Sequence, residues 1–271
     1  MDGLAVEKAR LERIMNRAAK TTLRVLGGAL AVVLLALGAL FYASFGGLSP
    51  IVDGAAPASD VRIVKDGMVC LGVVDVGNGK VLLVDAGRDG AGKAILAELA
   101  RRHLGGDAVS AIFLTHGHAD HTAGVHLFPH ADVYALAADI PLAEGRAGSH
   151  GPLTRFFPPK ANGTHVTRAL HDDETIAIGS KSVRVFAVPG HTAGSAAYLV
   201  SGVLFLGDSA GLKSDGTLAG APWAFSDSTA QNRASLQALA QRLRPEQIRI
   251  LAIVPAHTAM ATIDPLVQYQ P

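Results

Sequence analysis

The chain has 271 residues, 49% of them hydrophobic and 17% charged, with a formal net charge of +1. Such a length holds one large domain or two small ones, and a single cysteine, Cys70, excludes an intrachain disulfide. Six basic and three acidic groups fall in residues 1–48, against 18 and 20 in the remainder, so the larger part is mildly acidic, has no basic block and is a poor fit for nucleic acid.

Residues 1–24 carry Lys8, Arg10, Arg13, Arg17, Lys20 and Arg24 against Asp2, Glu7 and Glu12, whereas Val25 to Val52 contains no charge. As a helix, Val25–Phe45 would span roughly 30 Å, the thickness of a bilayer's hydrocarbon. Residues 25–45 are therefore expected to cross a membrane once. The basic segment 1–24 would stay in the cytoplasm and the bulk of the chain would lie on the extracytoplasmic side. A cleaved signal peptide and a buried helix of a soluble protein are the competing readings. The long polar lead-in and the lack of a small-x-small cleavage site weigh against cleavage. Residues 46–60, rich in Gly and Pro, read as a linker, and 61–271 as the functional domain. Gly27 and Ala31 form a small-xxx-small pair, too common in membrane helices to fix an oligomeric state.

Strand-like runs follow at 61–65, 68–76 and 80–85, the last two joined by Gly77-Asn78-Gly79 as a hairpin turn. Cys70 lies among Met68, Val69 and Leu71 and reads as a buried strand residue. Residues 91–103 have Ile95, Leu96 and Leu99 at helical spacing, with Gly105-Gly106 as the stop. The apolar run Ala111-Ile112-Phe113-Leu114 then delivers Thr115-His116-Gly117-His118-Ala119-Asp120-His121. In extended chain, side chains two apart point the same way, so His116 and His118 leave the strand end as a clamp. Asp120 and His121 follow where the chain must turn and can face a second ion. The spacing thus suggests two metals.

The second half repeats this order. Val183–Val188 and the hairpin Ala196–Val200 with Val203–Leu206 precede a helix over about Ser228–Leu243, ended by Pro245. A strand Ile250–Val254 then delivers Pro255-Ala256-His257. Each half reads as hairpin, Asp-bearing turn, helix, strand and His, with Asp85 and Asp208 in the two turns. Two such halves stacked sheet on sheet make an α/β fold, a four-layered αββα sandwich. His191, Asp208 and His257 each follow an expected strand. Singly each is an ordinary turn residue; together with the His cluster they form a ligand set.

With its HxHxDH motif followed in order by Gly190-His191, Gly207-Asp208 and Pro255-Ala256-His257, the chain resembles the metallo-β-lactamase superfamily over roughly residues 61–260. The resemblance implies an αββα fold and a binuclear site. His116, His118 and His191 would hold one metal, Asp120, His121 and His257 the other, and Asp208 would bridge them. Asp85 would support the site without binding metal. Five imidazoles and two carboxylates without a thiolate suit Zn2+, two per chain, while iron or manganese remains compatible. A water between two divalent ions loses its proton near neutral pH and becomes a nucleophile.

The expected function is a membrane-anchored hydrolase attacking the acyl carbon of a small-molecule ester, lactone, thioester or lactam, with Asp120 relaying the proton. A β-lactamase proper and a mononuclear iron sulfur dioxygenase are the alternatives. Asp208 resembles the bridging carboxylate of glyoxalase-like and lactonase-like members, although Ser209 beside it keeps a lactamase alignment open. Substrate contacts are sought in 139–165, where Arg146, His150, Phe156 and their basic and aromatic neighbours read equally as a lip or as an ordinary loop. Trp223 and Phe225 read as a facing wall or as local packing. Tyr198 reads as core, and His103, His126, His130 and His171 have no ligand spacing.

Overall fold

The computed structural model describes residues 2–244 and 249–270; Pro245, the expected helix stop, lies outside them. Two compact units are present, one ending at Gly46 and the other beginning at Gly47. The first is a single helix, α1 (Asp2–Phe45). From Val6 onward it is long and apolar enough to cross a membrane, and Val25, Leu26, Leu30, Val33, Leu37 and Phe41 are exposed on it. A helix apolar on every side has no polar face to offer water.

In the second unit, β1 (Val61–Asp66), β2 (Val69–Gly77), β3 (Lys80–Val84), β4 (Val109–Phe113), β5 (Asp132–Leu136) and β6 (Arg168–Leu170) form one sheet in that order. They are followed by β7 (Thr175–Ile178), β8 (Lys181–Ala187), β9 (Ala196–Val200), β10 (Val203–Gly207), the small hairpin β11 (Ala210–Leu212) with β12 (Leu218–Gly220), and β13 (Ala252–Pro255). The second sheet runs β13-β10-β9-β8-β7. Side-chain alternation assigns the layers. On β3, Leu82 and Val84 enter the core shared by the two sheets, whereas Val81 and Leu83 meet Ile95 and Leu99 of α2 (Lys93–Arg101). On β9, Tyr198 and Val200 enter the shared core, while Ala197 and Leu199 meet Leu236, Leu239 and Leu243 of α5 (Thr229–Leu243). Two short helices, α3 (Ala119–Thr122) and α4 (Ile140–Ala143), lie between these long ones in the chain. The result is the expected αββα sandwich. Its central strands are buried on both faces, which is why they read as unbroken apolar runs. The sheets come close at Gly72, where a Cβ would fall 2.4 Å from the Phe205 ring.

Both halves enter through the same kind of hairpin. Asn78-Gly79 and Ser201-Gly202 have positive φ at both positions, the geometry of a two-residue type I′ loop. β3 then pairs parallel to β4, and β10 parallel to β13. The carboxyl ends of such strands are where an open sheet leaves a crevice.

Three departures from the sequence reading have physical causes. β5, β6 and β7 were not anticipated; β6 and β7, three and four residues long with one buried side chain each, carry too little apolar pattern to stand out. The last strand runs Ala252–Pro255 instead of Ile250–Val254. Residues 48–60 are held against the domain rather than hanging as a free tether. The Ser49 amide donates to the Leu212 carbonyl at 2.8 Å, the Gly54 amide to Ile63 at 2.9 Å and the Ile63 amide to Ala55 at 2.8 Å. Ile51, Ala55 and Ala58 also pack on the shared core.

Candidate metal centre

Five strand ends deliver the site. β3 leads to Asp85, β4 to His116 and His118, β8 to His191, β10 to Asp208 and β13 to His257; α3 carries Asp120 and His121 one turn later. Ligand-type atoms fall into three overlapping groups, His116 with His118 and His191, His116 with His121 and Asp208, and Asp120 with His121 and His257, each within 4.8 Å. All seven residues of the sequence-derived ligand set are thus brought together.

Outer hydrogen bonds fix which nitrogen of each ring faces inward. Thr115 Oγ1 donates to Asp85 at 2.8 Å and so accepts from His116 Nδ1 at 3.2 Å. His191 Nδ1 donates at 3.0 Å to Ser226 Oγ, whose own proton goes to the Pro222 carbonyl at 2.7 Å. His121 Nδ1 donates to Asp85 Oδ2 at 2.8 Å, His257 Nδ1 to the Met68 carbonyl at 2.7 Å, and His118 Nε2 meets Ser149 Oγ at 3.2 Å. With those nitrogens carrying the protons, each ring presents one lone pair to the interior.

The inward atoms crowd one another. His116 Nε2 lies 3.1 Å from His118 Nδ1, and His191 Nε2 lies 3.2 Å and 3.0 Å from those two atoms. Three lone pairs at such separations repel unless a cation sits among them. Among the described residues, buried His121 Nε2 and Asp208 Oδ1 have no hydrogen-bond partner, although they lie 3.2 Å apart. Orphaned buried polar atoms call for an explanation. A metal ion held among these donors would supply it, and a nitrogen and oxygen donor set without sulfur fits a borderline or hard ion.

Electrostatics divides the cluster in two. Burial, reinforced by neighbouring imidazoles, holds His116 well below the ordinary histidine value. Burial also lowers His118, and takes His191 down to about 3. All three shifts favour the neutral ring, the form that can offer a lone pair to a metal. For His121, burial is outweighed by Asp208, Asp85 and Asp120, which raise it well above its ordinary value. His257 is raised too, chiefly by Asp208 against its own burial. Asp208 in turn is held well below the carboxylate range, because His257 and His121 outweigh its burial. A cation entering this side takes the place of those protons.

A fourth aspartate was not singled out from the sequence. Asp139, 1% exposed, accepts from the Gly117 amide at 2.7 Å, the Thr192 hydroxyl at 2.8 Å and the Gly194 amide at 2.8 Å. It ties the loop bearing His116 and His118 to the loop bearing His191. Ser226, Ser149 and the Met68 carbonyl were also missed; they lie far from the ligands in sequence, and no spacing rule marks them.

A cleft of about 350 Å³ adjoins the centre through Gly117, His118, Ala119 and Asp120. Of the side chains read from the sequence as a lip or facing wall, Phe157, Lys160 and Phe225 line it, whereas Arg146, His150, Phe156 and Trp223 do not. Arg146 pairs with Glu144, and His150 is exposed, its amide donating to Asp227 at 2.9 Å. Phe156 is 70% exposed beneath the Arg155 guanidinium, and Trp223 is 61% exposed.

A sequence model of the metallo-beta-lactamase superfamily matches residues 67–257. Curated relatives include the probable polyketide biosynthesis zinc-dependent hydrolase BaeB of Bacillus velezensis, 34% identical over 37% of this chain and 38% of the relative. The hydroxyacylglutathione hydrolase of Aeromonas hydrophila is 34% identical over 59% of this chain and 51% of the relative. The chain therefore spans about half, or less, of the length of these relatives. Among solved structures, metallo-beta-lactamase SMB-1 bound to 2-mercaptoethanesulfonate aligns with a TM-score of 0.59 and 21% identity, over 77% of this chain and 81% of that one. The B3 metallo-beta-lactamase BLEG-1 aligns with a TM-score of 0.57 and 23% identity, over 78% and 98%. At such identities the likeness is one of fold.

Proposed function

The chain belongs to the metallo-beta-lactamase superfamily, and on that premise we propose that it is a membrane-anchored, metal-dependent hydrolase holding two divalent ions. Its reaction is cleavage of an ester, lactone, thioester or lactam bond in a small molecule. The observation that carries this reading is the convergence of five inward imidazole nitrogens and two carboxylates from strand ends of both sheets. His116, His118 and His191 would hold one ion and Asp120, His121 and His257 the other, with Asp208 between them. Zinc suits this donor set, and iron and manganese are the alternatives. Bound ions supply Lewis acidity and activate water near neutral pH.

The protein's own groups orient and move protons. Thr115, Ser226, Ser149, Asp85 and the Met68 carbonyl hold the five rings in one tautomer each. Asp139 holds two of the ligand loops together. Asp120, 35% exposed, has Oδ2 3.5 Å from His257 Nε2 and borders the cleft. Its carboxylate is placed to take a proton from the attacking water and return it to the leaving group. We assign α1 as the anchor, with residues 1–24 in the cytoplasm, 25–45 crossing the bilayer and the metal centre outside; the basic flank supports this orientation.

The relatives named for zinc-dependent and hydroxyacylglutathione hydrolysis support zinc and a thioester among the substrates. The β-lactamase likeness supports the architecture and leaves the lactam as one arm of the test. A sulfur dioxygenase with one iron needs only part of this ligand set, and the presence of Asp120, His121 and His257 weighs against it. The experiment is to purify the full chain, measure bound metals, and assay lactone, thioester, β-lactam and phosphodiester substrates. Hydrolysis of an acyl substrate is expected. Oxygen uptake with one iron per chain, or cleavage of phosphodiesters alone, would overturn the reading.

A further inference from the structure

The cleft beside the metal centre has a chemical character of its own. Beyond the residues it shares with the centre, its wall is built mainly from Leu142, Ala147, Phe157, Pro158, Pro159 and Phe225. Most of its polar side chains are already engaged. The Asn162 amide donates to Thr122 Oγ1 and to the Ala143 carbonyl, both at 3.0 Å. Ser149 and Thr154 share a hydrogen bond of 2.7 Å. Lys160 is the one lysine or arginine in the lining. Two consecutive prolines contribute no amide donors, so this stretch offers hydrocarbon to a ligand and little to a peptide backbone. Phe157 stands 60% exposed at this wall, apolar surface that a ligand would cover.

The wall is also preformed. Gly145 has φ +66, and a Cβ there would lie 2.0 Å from the Lys160 carbonyl oxygen. Contact that close is open only to glycine and sets the Lys160–Ala161 peptide against the 145 turn. The other side is tied down through Asp227, which accepts from the His150 amide at 2.9 Å, while the Leu153 amide donates to Ala224 at 2.8 Å. A volume of about 350 Å³ is at the small end of ligand sites and matches one acyl group of medium length.

We infer that this cleft binds an apolar acyl group, so that the substrate is an ester, thioester or lactone of a hydrocarbon or aromatic acid rather than a polar, peptide-like conjugate. The assignment of the reacting end rests on the hydrolase reading above; the apolar recognition does not. Two measurements keep them apart. The full chain, held in lipid nanodiscs with empty discs as the blank, is titrated calorimetrically with butanoate, hexanoate and octanoate, and turnover is followed on the p-nitrophenyl esters of the same acids. Burial of each methylene is expected to tighten binding about four-fold until the cleft is filled, and Phe157→Ser to flatten that slope. The same slope is expected in kcat/KM for the esters. Rising affinity without ester turnover under any metal supports the cleft and removes the hydrolase. Ester turnover that ignores chain length, with flat carboxylate binding, keeps the hydrolase and overturns the cleft.

Discussion

Asp85 and Asp208 hold the same place in the two halves of the domain, each directly after the second strand of a type I′ hairpin, yet their surroundings are opposite. Asp85, with φ 64, spends its carboxylate on protein donors: the Thr115 amide at 2.7 Å, the Thr115 hydroxyl, and His121 Nδ1 at 2.8 Å. Asp208 has Oδ2 3.1 Å from His257 Nε2, while its buried Oδ1, 3.2 Å from His121 Nε2, has no hydrogen-bond partner among the described residues. A carboxylate whose lone pairs are spent on N–H and O–H groups orients its neighbours. One with lone pairs left over is available to a cation. Asp139 joins Asp85 in the first class, since three donors saturate it. Two like hairpins present two equivalently placed aspartates, and the donors around each decide the role.

The sharpest way to break this contrast is Asp208→Asn. It should abolish turnover and lower the metal count below that of the unaltered chain, with circular dichroism still reporting a folded domain. Asp85→Asn comes next. Its amide cannot accept from the Thr115 amide and His121 together, so metal affinity should fall about 10–100-fold, as for other outer partners of metal ligands, with measurable turnover remaining. Equal losses in the two variants would erase the distinction.

A smaller effect is expected at Asp139. Asp139→Ala leaves the buried donors of Gly117, Thr192 and Gly194 unpaired, a cost of about 1–3 kcal/mol in urea unfolding of metal-free protein. It should also raise the metal dissociation constant, as two ligand loops lose their tie. Unchanged stability would show that the saturated carboxylate holds nothing together.

The smallest effect lies at the periphery. Asp60, before β1, pairs with Lys181 at the start of β8 and accepts from Ser201. Its burial raises the carboxyl pKa, but the Lys181 and Ser201 bonds outweigh that and lower it. A lowered folded value means that the stabilisation is present above the unfolded carboxylate pKa and is lost as pH falls through the folded one. The partly exposed pair should contribute about 0–1 kcal/mol. Thermal melts of Lys181→Met and the unaltered chain should differ slightly at neutral pH and converge in acid. Divergence in acid would contradict the assignment.

Much of the candidate centre was legible in the sequence because the side chains it gathers obey local rules. His116 and His118 are two apart at a strand end, and Asp208 and His257 recur at matching points of a repeated hairpin, helix and strand. The same repetition disclosed the αββα layering. What the sequence did not disclose is built from contacts without periodicity. Ser226 meets His191 across 35 positions and the Met68 carbonyl meets His257 across 189. Asp139 reads in the chain as one acidic residue among loop alanines. The lip over residues 139–165 held Phe156 and Phe157 alike, since a loop carries no alternation to say which of two adjacent aromatics borders the cleft. Residues 48–60 looked like a tether by composition, but Ile51, Ala55 and Ala58 are spaced to reach the core.

The most direct test of the account is a metal titration of the metal-free full chain beside Asp208→Asn, read by elemental analysis and calorimetry. Two zinc ions per chain in the former, and fewer in the latter, are predicted. One ion per chain with full activity, or the same stoichiometry in both proteins, would contradict the claim that Asp208 is the open carboxylate of a two-metal site.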